Sequence, residues 1–127
     1  PHFNKALPVE TEDLELSSST LQFIKSAMSD AVNLDTGTAF KSKLESDNFK
    51  VRAKTGTAQI SAKDANNITK KATHAWYAGF LEFNKNEKIS IVIMLEKGGS
   101  GGETAALMAK EIFEEAISLN SQDSFYD

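Results

Sequence analysis

Apolar side chains recur at three- and four-residue intervals in two stretches of the chain, which predicts two amphipathic helices. The first begins after the serines at positions 17–19, whose hydroxyls suit a helix N-cap, and ends near Asn33. The second covers residues 103–119, and its broad apolar stripe predicts packing against a sheet. The polar residues 120–127 that follow are expected to fray.

Three strands are predicted between the helices, at residues 50–60, 74–83 and 88–96, where β-branched and aromatic residues are frequent. Both faces of the second strand are apolar, so we expect it to be covered on both sides. The short polar stretch 84–87 predicts an antiparallel hairpin with the third strand. Residues 61–73 are polar without a period and predict a mobile loop, whereas residues 37–40 predict a turn with a hydrophobic plug.

Composition and charge narrow the classes of function. The 127 residues, 40% of them hydrophobic, are enough for one compact domain with a core. The 14 basic and 18 acidic residues are interspersed and give a net charge of -4, which argues against nucleic acid as a partner. The absence of cysteine excludes disulfides, and His2 and His74 have no metal-ligand spacing, so we assign neither a metal nor a cofactor.

The most informative segment is Lys54, Thr55, Gly56 and Thr57, inside the first predicted strand. An ammonium group, hydroxyls on alternate strand positions and a residue without a side chain together make a place where an anionic group can dock against a strand edge. A lysine on an arbitrary strand would be expected only to be solvated, so the flanking residues decide the interpretation.

Together with residues 51–59 and 75–80, this segment resembles the penicillin-binding protein transpeptidases that crosslink peptidoglycan, and in particular the class B, elongation-type members. That family uses three motifs: Ser-x-x-Lys with the nucleophile, Ser-x-Asn and Lys-Thr-Gly. The resemblance extends over residues 1–119 of this chain but only over the last part of the family's catalytic domain.

Only the third motif is present. No serine stands three residues before any lysine, so the chain contains no Ser-x-x-Lys. Ser46, Asp47 and Asn48 match Ser-x-Asn literally, but they lie only six residues before Lys54 and are interpreted as a polar loop. We therefore expect this chain to form no acyl-enzyme by itself.

The resemblance implies a role for each residue of the third motif. Lys54 would hydrogen-bond the serine of the second motif and attract the carboxylate at the end of the substrate. Thr55 and Thr57 share one strand face, so both hydroxyls would reach that carboxylate. Gly56 would let the substrate backbone approach closely, and the backbone N–H of Thr57 would form half of an oxyanion hole. Lys54 and Thr57 are thus the predicted catalytic residues, and Thr55, Gly56 and Thr57 the predicted substrate-binding residues.

The expected fold is α/β (α+β), with a mainly antiparallel sheet flanked by helices. Residues 1–16 would be an extended connector, and residues 17–127 the C-terminal part of a transpeptidase domain that is incomplete alone. The expected partners are the N-terminal part of the same domain, peptidoglycan stem peptides, β-lactams and the cell-wall elongation machinery. The expected location is the periplasmic face of the bacterial cytoplasmic membrane, with an anchor upstream of this chain.

Other functions remain open at this stage. A penicillin-sensing domain, a β-lactamase or a non-catalytic binding module could use the same strand. A phosphate-binding loop at residues 98–102 is disfavoured, because Glu103 stands where a Walker-type loop has its lysine. Trp76 and Tyr77 are predicted to pack in the core rather than to stack on a substrate, and Arg52 is predicted to be a surface residue.

Overall fold

The structure, a computed structural model, describes residues 13–63, 69–84 and 87–123. The elements in chain order are α1 (Ser18–Asn33), a 3-10 helix (Phe40–Ser42), β1 (Lys50–Lys63), β2 (Thr69–Glu82), β3 (Lys88–Leu95), a π-helical turn (Gly101–Ala105) and α2 (Ala106–Asp123). The predicted fold class, a mainly antiparallel sheet with flanking helices, is confirmed. No helix among these residues is long and apolar enough to cross a membrane.

Helix α1 begins and ends where the sequence predicts. The hydroxyl of Ser17 accepts the N–H of Thr20 at 3.1 Å and caps the first turn. At the other end, the N–H of Ala39 donates to the carbonyl of Ala31 at 2.8 Å and folds the chain back over the helix. Gly37 permits this return, because a Cβ there would lie 2.3 Å from the Ala31 carbonyl oxygen.

The sheet has the order β1-β2-β3 with both pairs antiparallel, so the predicted hairpin between β2 and β3 is confirmed. The β1–β2 ladder is longer than predicted and extends from Lys50↔Glu82 to Lys63↔Thr69. The predicted loop at 61–73 is therefore wrong at both ends, and its centre, 64–68, lies outside the described residues. Strand pairing there depends on backbone hydrogen bonds, which do not require apolar side chains.

The predictions for the two termini are tested only in part. Residues 13–16 belong to no helix or strand, and the rest of the predicted connector, residues 1–12, lies outside the described residues. At the other end, α2 continues to Asp123, so the polar tail was predicted to begin too early. Serine and asparagine do not stop a helix that the preceding turns already hold in place. Residues 124–127 lie outside the described residues.

The core lies on one face of the sheet. Tyr77 is fully buried there, and its hydroxyl donates to Ser42 Oγ at 3.0 Å, while Ser42 donates in turn to the carbonyl of Ala39 at 2.7 Å. The other buried apolar residues of this face and of the helices that cover it are Val32, Ala39, Leu44, Val51, Ala53, Ala75, Leu81, Ile93, Ala105, Ala106, Ala109 and Phe113. The prediction of a core position is confirmed for Tyr77.

The opposite face of the sheet is open among the described residues. Trp76 is 40% exposed and Val92 is 71% exposed, and Met94 is exposed beside them. The predictions that β2 is covered on both sides and that Trp76 packs in the core are therefore wrong for this chain, because no described element lies over these side chains. In the predicted turn at residues 37–40, the buried apolar side chain is that of Ala39, whereas Phe40 is 36% exposed.

Three charged residues join the strands at one end of the sheet. Arg52 on β1 and Lys88 on β3 both form ion pairs with Glu82 on β2, the latter at 3.0 Å. Burial acts to raise the pKa of Glu82, but the hydrogen bonds and charges of Arg52 and Lys88 outweigh it and hold the pKa below its ordinary value. The guanidinium carbon of Arg52 also lies 5.7 Å from the ring centroid of Phe80, so the predicted surface residue is partly covered, with 17% of its side chain exposed.

The buried hydroxyl of Tyr77 gives a prediction about stability at high pH. Burial raises the pKa of Tyr77 from 10.0 to about 12, against the weaker opposing effect of the hydrogen bond with Ser42. Above pH 10 the unfolded chain loses this proton while the folded chain keeps it, so the free energy of unfolding should fall as pH rises towards 12. Tyr77→Phe should lower stability by about 1 kcal/mol at neutral pH and flatten this slope. Urea unfolding of both proteins at several pH values measures the effect, and equal slopes would contradict the assignment.

Candidate functional site

The segment Lys54–Thr57 lies in the middle of β1, paired with Ala78–Ala75 of β2 in antiparallel register. Within the described ranges β1 has a strand neighbour on one side only. Every second backbone N–H and C=O of β1 therefore points away from the sheet and is available to a partner. An extended peptide can add to such an edge through main-chain hydrogen bonds.

Lys54 is exposed, and its ammonium group donates a hydrogen bond to the carbonyl of Thr55. Among the residues that the structure describes, no carboxylate forms an ion pair with it, so its charge is available to an anion. Its cross-strand neighbour, Ala78, is small and leaves the space beside the ammonium open.

An apolar cleft of about 310 Å³ lies next to Lys54, between β1 and α1. Ala53 and Lys54 form its strand side. Its helix side consists of Phe23, Ile24, Ala27, Met28 and Ala31. The positive charge of Lys54 thus stands at the edge of an apolar wall, which suits a ligand with an anionic end and a small apolar part.

Thr55 and Thr57 share one face of β1, as predicted, but they differ in exposure. Thr55 is only 8% exposed, because it faces the core beside Tyr77, its cross-strand neighbour. Thr57 is exposed, and its hydroxyl oxygen accepts the N–H of Gly101 at 3.3 Å. The structure therefore leaves Lys54 and Thr57 exposed on opposite faces of β1, whereas Thr55 is largely buried.

On the face of Gly56 itself the fit is tight but without a backbone clash, since a Cβ there would lie 3.3 Å from the Cβ of Trp76. The close approach occurs on the other face, where Gly101 lies against the strand backbone. A Cβ on Gly101 would lie 2.3 Å from the Gly56 carbonyl oxygen and 2.4 Å from that of Trp76. Sequence reasoning missed Gly101, although two glycine pairs directly after a strand are a usual signal of a close backbone approach.

The other residues of the glycine-rich segment belong to its own local structure. Glu103 lies in the π-helical turn, where its negative charge opposes phosphate binding, and it forms an ion pair with Lys41. His74 accepts the N–H of Lys97 on Nδ1 at 3.2 Å. Within the described part of the chain, no group of three or more His, Cys, Asp or Glu side chains could hold a metal ion.

Ser46, Asp47 and Asn48 form an exposed turn, in which the N–H of Asn48 donates to Ser46 Oγ at 3.3 Å. The prediction of a polar loop is confirmed. The hydroxyl of Ser46 serves the turn itself, as serine hydroxyls commonly do before a change of chain direction.

The same architecture occurs in solved structures of proteins of cell-wall synthesis. A structure described as a peptidoglycan glycosyltransferase from Atopobium parvulum DSM 20469 matches 81% of this chain with a TM-score of 0.62 at 19% identity, over 24% of its own length. A chain of the complex between Penicillin-Binding Protein (PBP2) and MreC from Helicobacter pylori matches 78% of this chain with a TM-score of 0.53 at 30% identity, over 18% of its own length. The fold is thus that of the penicillin-binding, transpeptidase-type proteins.

The sequence assigns the chain to a family within this class. The family described as the penicillin binding protein transpeptidase domain matches residues 1–116, and the chain belongs to it. The peptidoglycan D,D-transpeptidase MrdA of Haemophilus influenzae is 29% identical over 97 residues, and that of Salmonella typhimurium strain SL1344 is 32% identical over 98 residues. These matches cover 71% and 72% of this chain and 15% of each relative, so the chain spans a small fraction of the relatives' length.

The space around two glycines gives a prediction about stability. Gly56→Ala should change the free energy of unfolding by less than about 1 kcal/mol, because the added methyl group presses only on the Cβ of Trp76, a partly exposed residue that can shift slightly. Gly79→Ala is the matched variant on the paired strand, where a Cβ would lie 2.8 Å from the Arg52 carbonyl oxygen. It should destabilise the protein by about 1–3 kcal/mol. Thermal unfolding of the two variants measures the difference, and equal destabilisation would contradict the packing described.

Proposed function

We propose that this chain is the C-terminal part of a peptidoglycan D,D-transpeptidase and supplies the strand that binds the substrate's terminal carboxylate. The observation behind the proposal is that Lys54, which has no carboxylate partner among the described residues, and Thr57 are both exposed on β1, the strand with an open edge. Family membership and the D,D-transpeptidase relatives support the type of reaction.

The reaction is acyl transfer through a serine that the N-terminal part of the domain supplies. The serine oxygen attacks the carbonyl carbon of the penultimate D-alanine, the peptide bond breaks, and the last D-alanine leaves with a proton. The amine of a neighbouring stem peptide then attacks the ester carbon, forms the crosslink and returns the serine hydroxyl. β-Lactams acylate the same serine when their amide bond opens.

Each residue of the strand has a role in this proposal. The backbone N–H of Thr57 stabilises the oxyanion, an interaction of the kind that contributes about 3–4 kcal/mol in the transition state. Lys54 attracts the carboxylate and hydrogen-bonds the serine of the second family motif. The hydroxyl of Thr57 donates to the carboxylate, Thr55 offers a second hydroxyl on the same face from its more buried position, and Gly56 leaves the substrate backbone room to approach.

The partner that completes the site is the N-terminal part of the same domain. The open face of the sheet, with Trp76, Val92 and Met94 exposed, supports this proposal, because an apolar face of this kind is normally covered. Strand β3 has a strand neighbour on one side only among the described residues, so its other edge can pair with a further strand.

The cellular setting follows from the same family. We infer that the protein works at the periplasmic face of the bacterial cytoplasmic membrane, where its peptidoglycan substrate lies. The structural relative in complex with MreC supports a partnership with the elongation machinery.

Labelling with a fluorescent penicillin tests the proposed function. The chain alone should take up no label, whereas the polypeptide that also contains the N-terminal part of the domain should be labelled. Lys54→Met should lower the labelling rate by about 100-fold or more, because the loss of one preorganised donor in an active site commonly costs that much. Lys50→Met, an exposed lysine on the same strand face, is the control and should label at the rate of the unaltered protein.

Absence of label on the complete polypeptide would contradict the transpeptidase and favour the non-catalytic binding module. Label on the chain alone would show that it contains a nucleophile of its own. Label that is equally fast in Lys54→Met and Lys50→Met would remove Lys54 from the site.

The open face gives a second prediction. Val92→Asp should weaken binding between this chain and the separately produced N-terminal part by about tenfold or more, because it places a charge in a buried apolar contact. Val92→Thr, which keeps the shape, should have a much smaller effect. The exposure of Val92 means that the chain's own folding should change little. Titration by isothermal calorimetry measures the affinities, and equal binding by both variants would contradict the proposed contact.

A further inference from the structure

Gly101 lies directly against the sheet, and it can do so because side chains alternate between the two faces of each strand. Gly56 and Trp76 are cross-strand neighbours, and the side chain of Trp76 points to the open face. On the core face, no side chain of these two residues covers their backbone atoms, because the side chains that point there belong to the residues before and after them. Gly101 is buried and lies directly against this uncovered backbone, close to the carbonyl oxygens of Gly56 and Trp76.

The contact leaves no room for any side chain at residue 101. A Cβ at 2.3 Å from the Gly56 carbonyl oxygen and at 2.4 Å from the Trp76 carbonyl oxygen meets backbone and not a side chain that could move aside. An alanine would therefore displace the strand at Gly56, in the middle of the Lys54–Thr57 segment.

Gly101 also determines what the hydroxyl of Thr57 can do. Its N–H donates to Thr57 Oγ1 at 3.3 Å, and so occupies a lone pair of that oxygen. A hydroxyl has one proton to donate and two lone pairs that accept. With a lone pair taken by a fixed N–H, the hydroxyl proton is directed elsewhere, and Thr57 is prepared to donate to a negatively charged oxygen.

The position of Gly101 is itself held by Thr104. The hydroxyl of Thr104 donates to the carbonyl of Gly98 at 2.6 Å and lies 2.9 Å from that of Ser100. These contacts close the glycine-rich segment, residues 98–102, at the start of the C-terminal helix. Thr104 is exposed and touches neither Lys54 nor Thr57 through any of these bonds.

We propose that Gly101 is a positioning residue that sets Thr57 to donate its hydroxyl proton to the substrate carboxylate. The inference rests on the proposed transpeptidase function, because it concerns the same carboxylate. It adds a residue outside the Lys-Thr-Gly segment, on a different element of the fold, that acts through Thr57 and without contact to the substrate.

The test compares two acylating agents on the complete polypeptide: benzylpenicillin, which has the carboxylate, and its methyl ester, which lacks it. The ratio of the two acylation rates reports on carboxylate recognition and does not depend on how much of a sample is folded. Gly101→Ala should lower this ratio by about tenfold to 100-fold, since a displacement of about 1 Å can cost that much. Thr57→Val should lower it by a similar factor, and Thr57→Ser should restore most of it.

A double variant separates positioning from a general structural effect. If Gly101 acts through Thr57, the ratio in Gly101→Ala with Thr57→Val should equal that of Thr57→Val alone. The control is Gly99→Ala, at a residue with φ of 77° where a Cβ would meet nothing within 4 Å. It strains the same segment without touching β1, so its ratio should match that of the unaltered protein.

The outcomes are distinguishable. An unaltered ratio in Gly101→Ala, or a double variant whose loss is the product of the single losses, would overturn the inference while leaving the transpeptidase intact. An unaltered polypeptide that neither compound acylates would overturn the proposed function itself. If Gly101→Ala does not fold, Thr104→Val is the alternative, because it loosens the glycine-rich segment without a steric clash. It should lower the ratio of the two acylation rates, and Thr104→Ser should restore it. An unchanged ratio in Thr104→Val would equally overturn the inference.

Discussion

The long antiparallel ladder between β1 and β2 is the constraint on which the rest of the structure depends. It fixes the alternation that turns Thr55 towards the core and keeps Lys54 on the other face. A slip of one residue would exchange these two faces, so register is as important here as sequence. Tyr77 and Leu81 lock the register, because both are fully buried and stand opposite Thr55 and Val51. The placement of the candidate site is thus a result of core packing.

One end and the middle of this ladder are held by different means. At one end, the carboxylate of Glu82 pairs with Arg52 and Lys88 and so ties all three strands together. Near Gly56, the anchor is the backbone of Gly101, which lies directly against the strands. This second anchor connects the C-terminal helix to the middle of β1, and the geometry of the candidate site therefore depends on where that helix begins.

Much of this architecture could be predicted from the sequence, and the reasons for success and failure are physical. The helix ending at Asn33 and the hairpin between β2 and β3 were predictable, since caps and alternating apolar residues are local signals. The strand residues within 61–73 were not, because backbone pairing there requires no apolar side chain. The Lys54–Thr57 segment was found through its local motif and flanks, whereas the role of Gly101 depends on a contact with Gly56, 45 positions earlier in the chain, that no local pattern contains.

The exposure of Trp76 has a different cause. An apolar strand predicts cover on both faces, and the residues that the structure describes cover only one of them. The open face explains why the predicted cover of β2 on both sides is wrong for this chain. Together with the open sheet edge, it indicates where a further part of the domain can pack. An apolar sequence pattern predicts that a side chain is buried, but it does not tell whether this chain or another part of the domain buries it.

The most direct test of the central claim is a crystal structure of the complete polypeptide acylated by a β-lactam. We expect the β-lactam carboxylate to lie within about 3 Å of Thr57 Oγ1 and the acyl carbonyl oxygen to accept the backbone N–H of Thr57 at about 2.7–3.1 Å. A carboxylate bound elsewhere, with Lys54 and Thr57 facing only solvent, would contradict the claim.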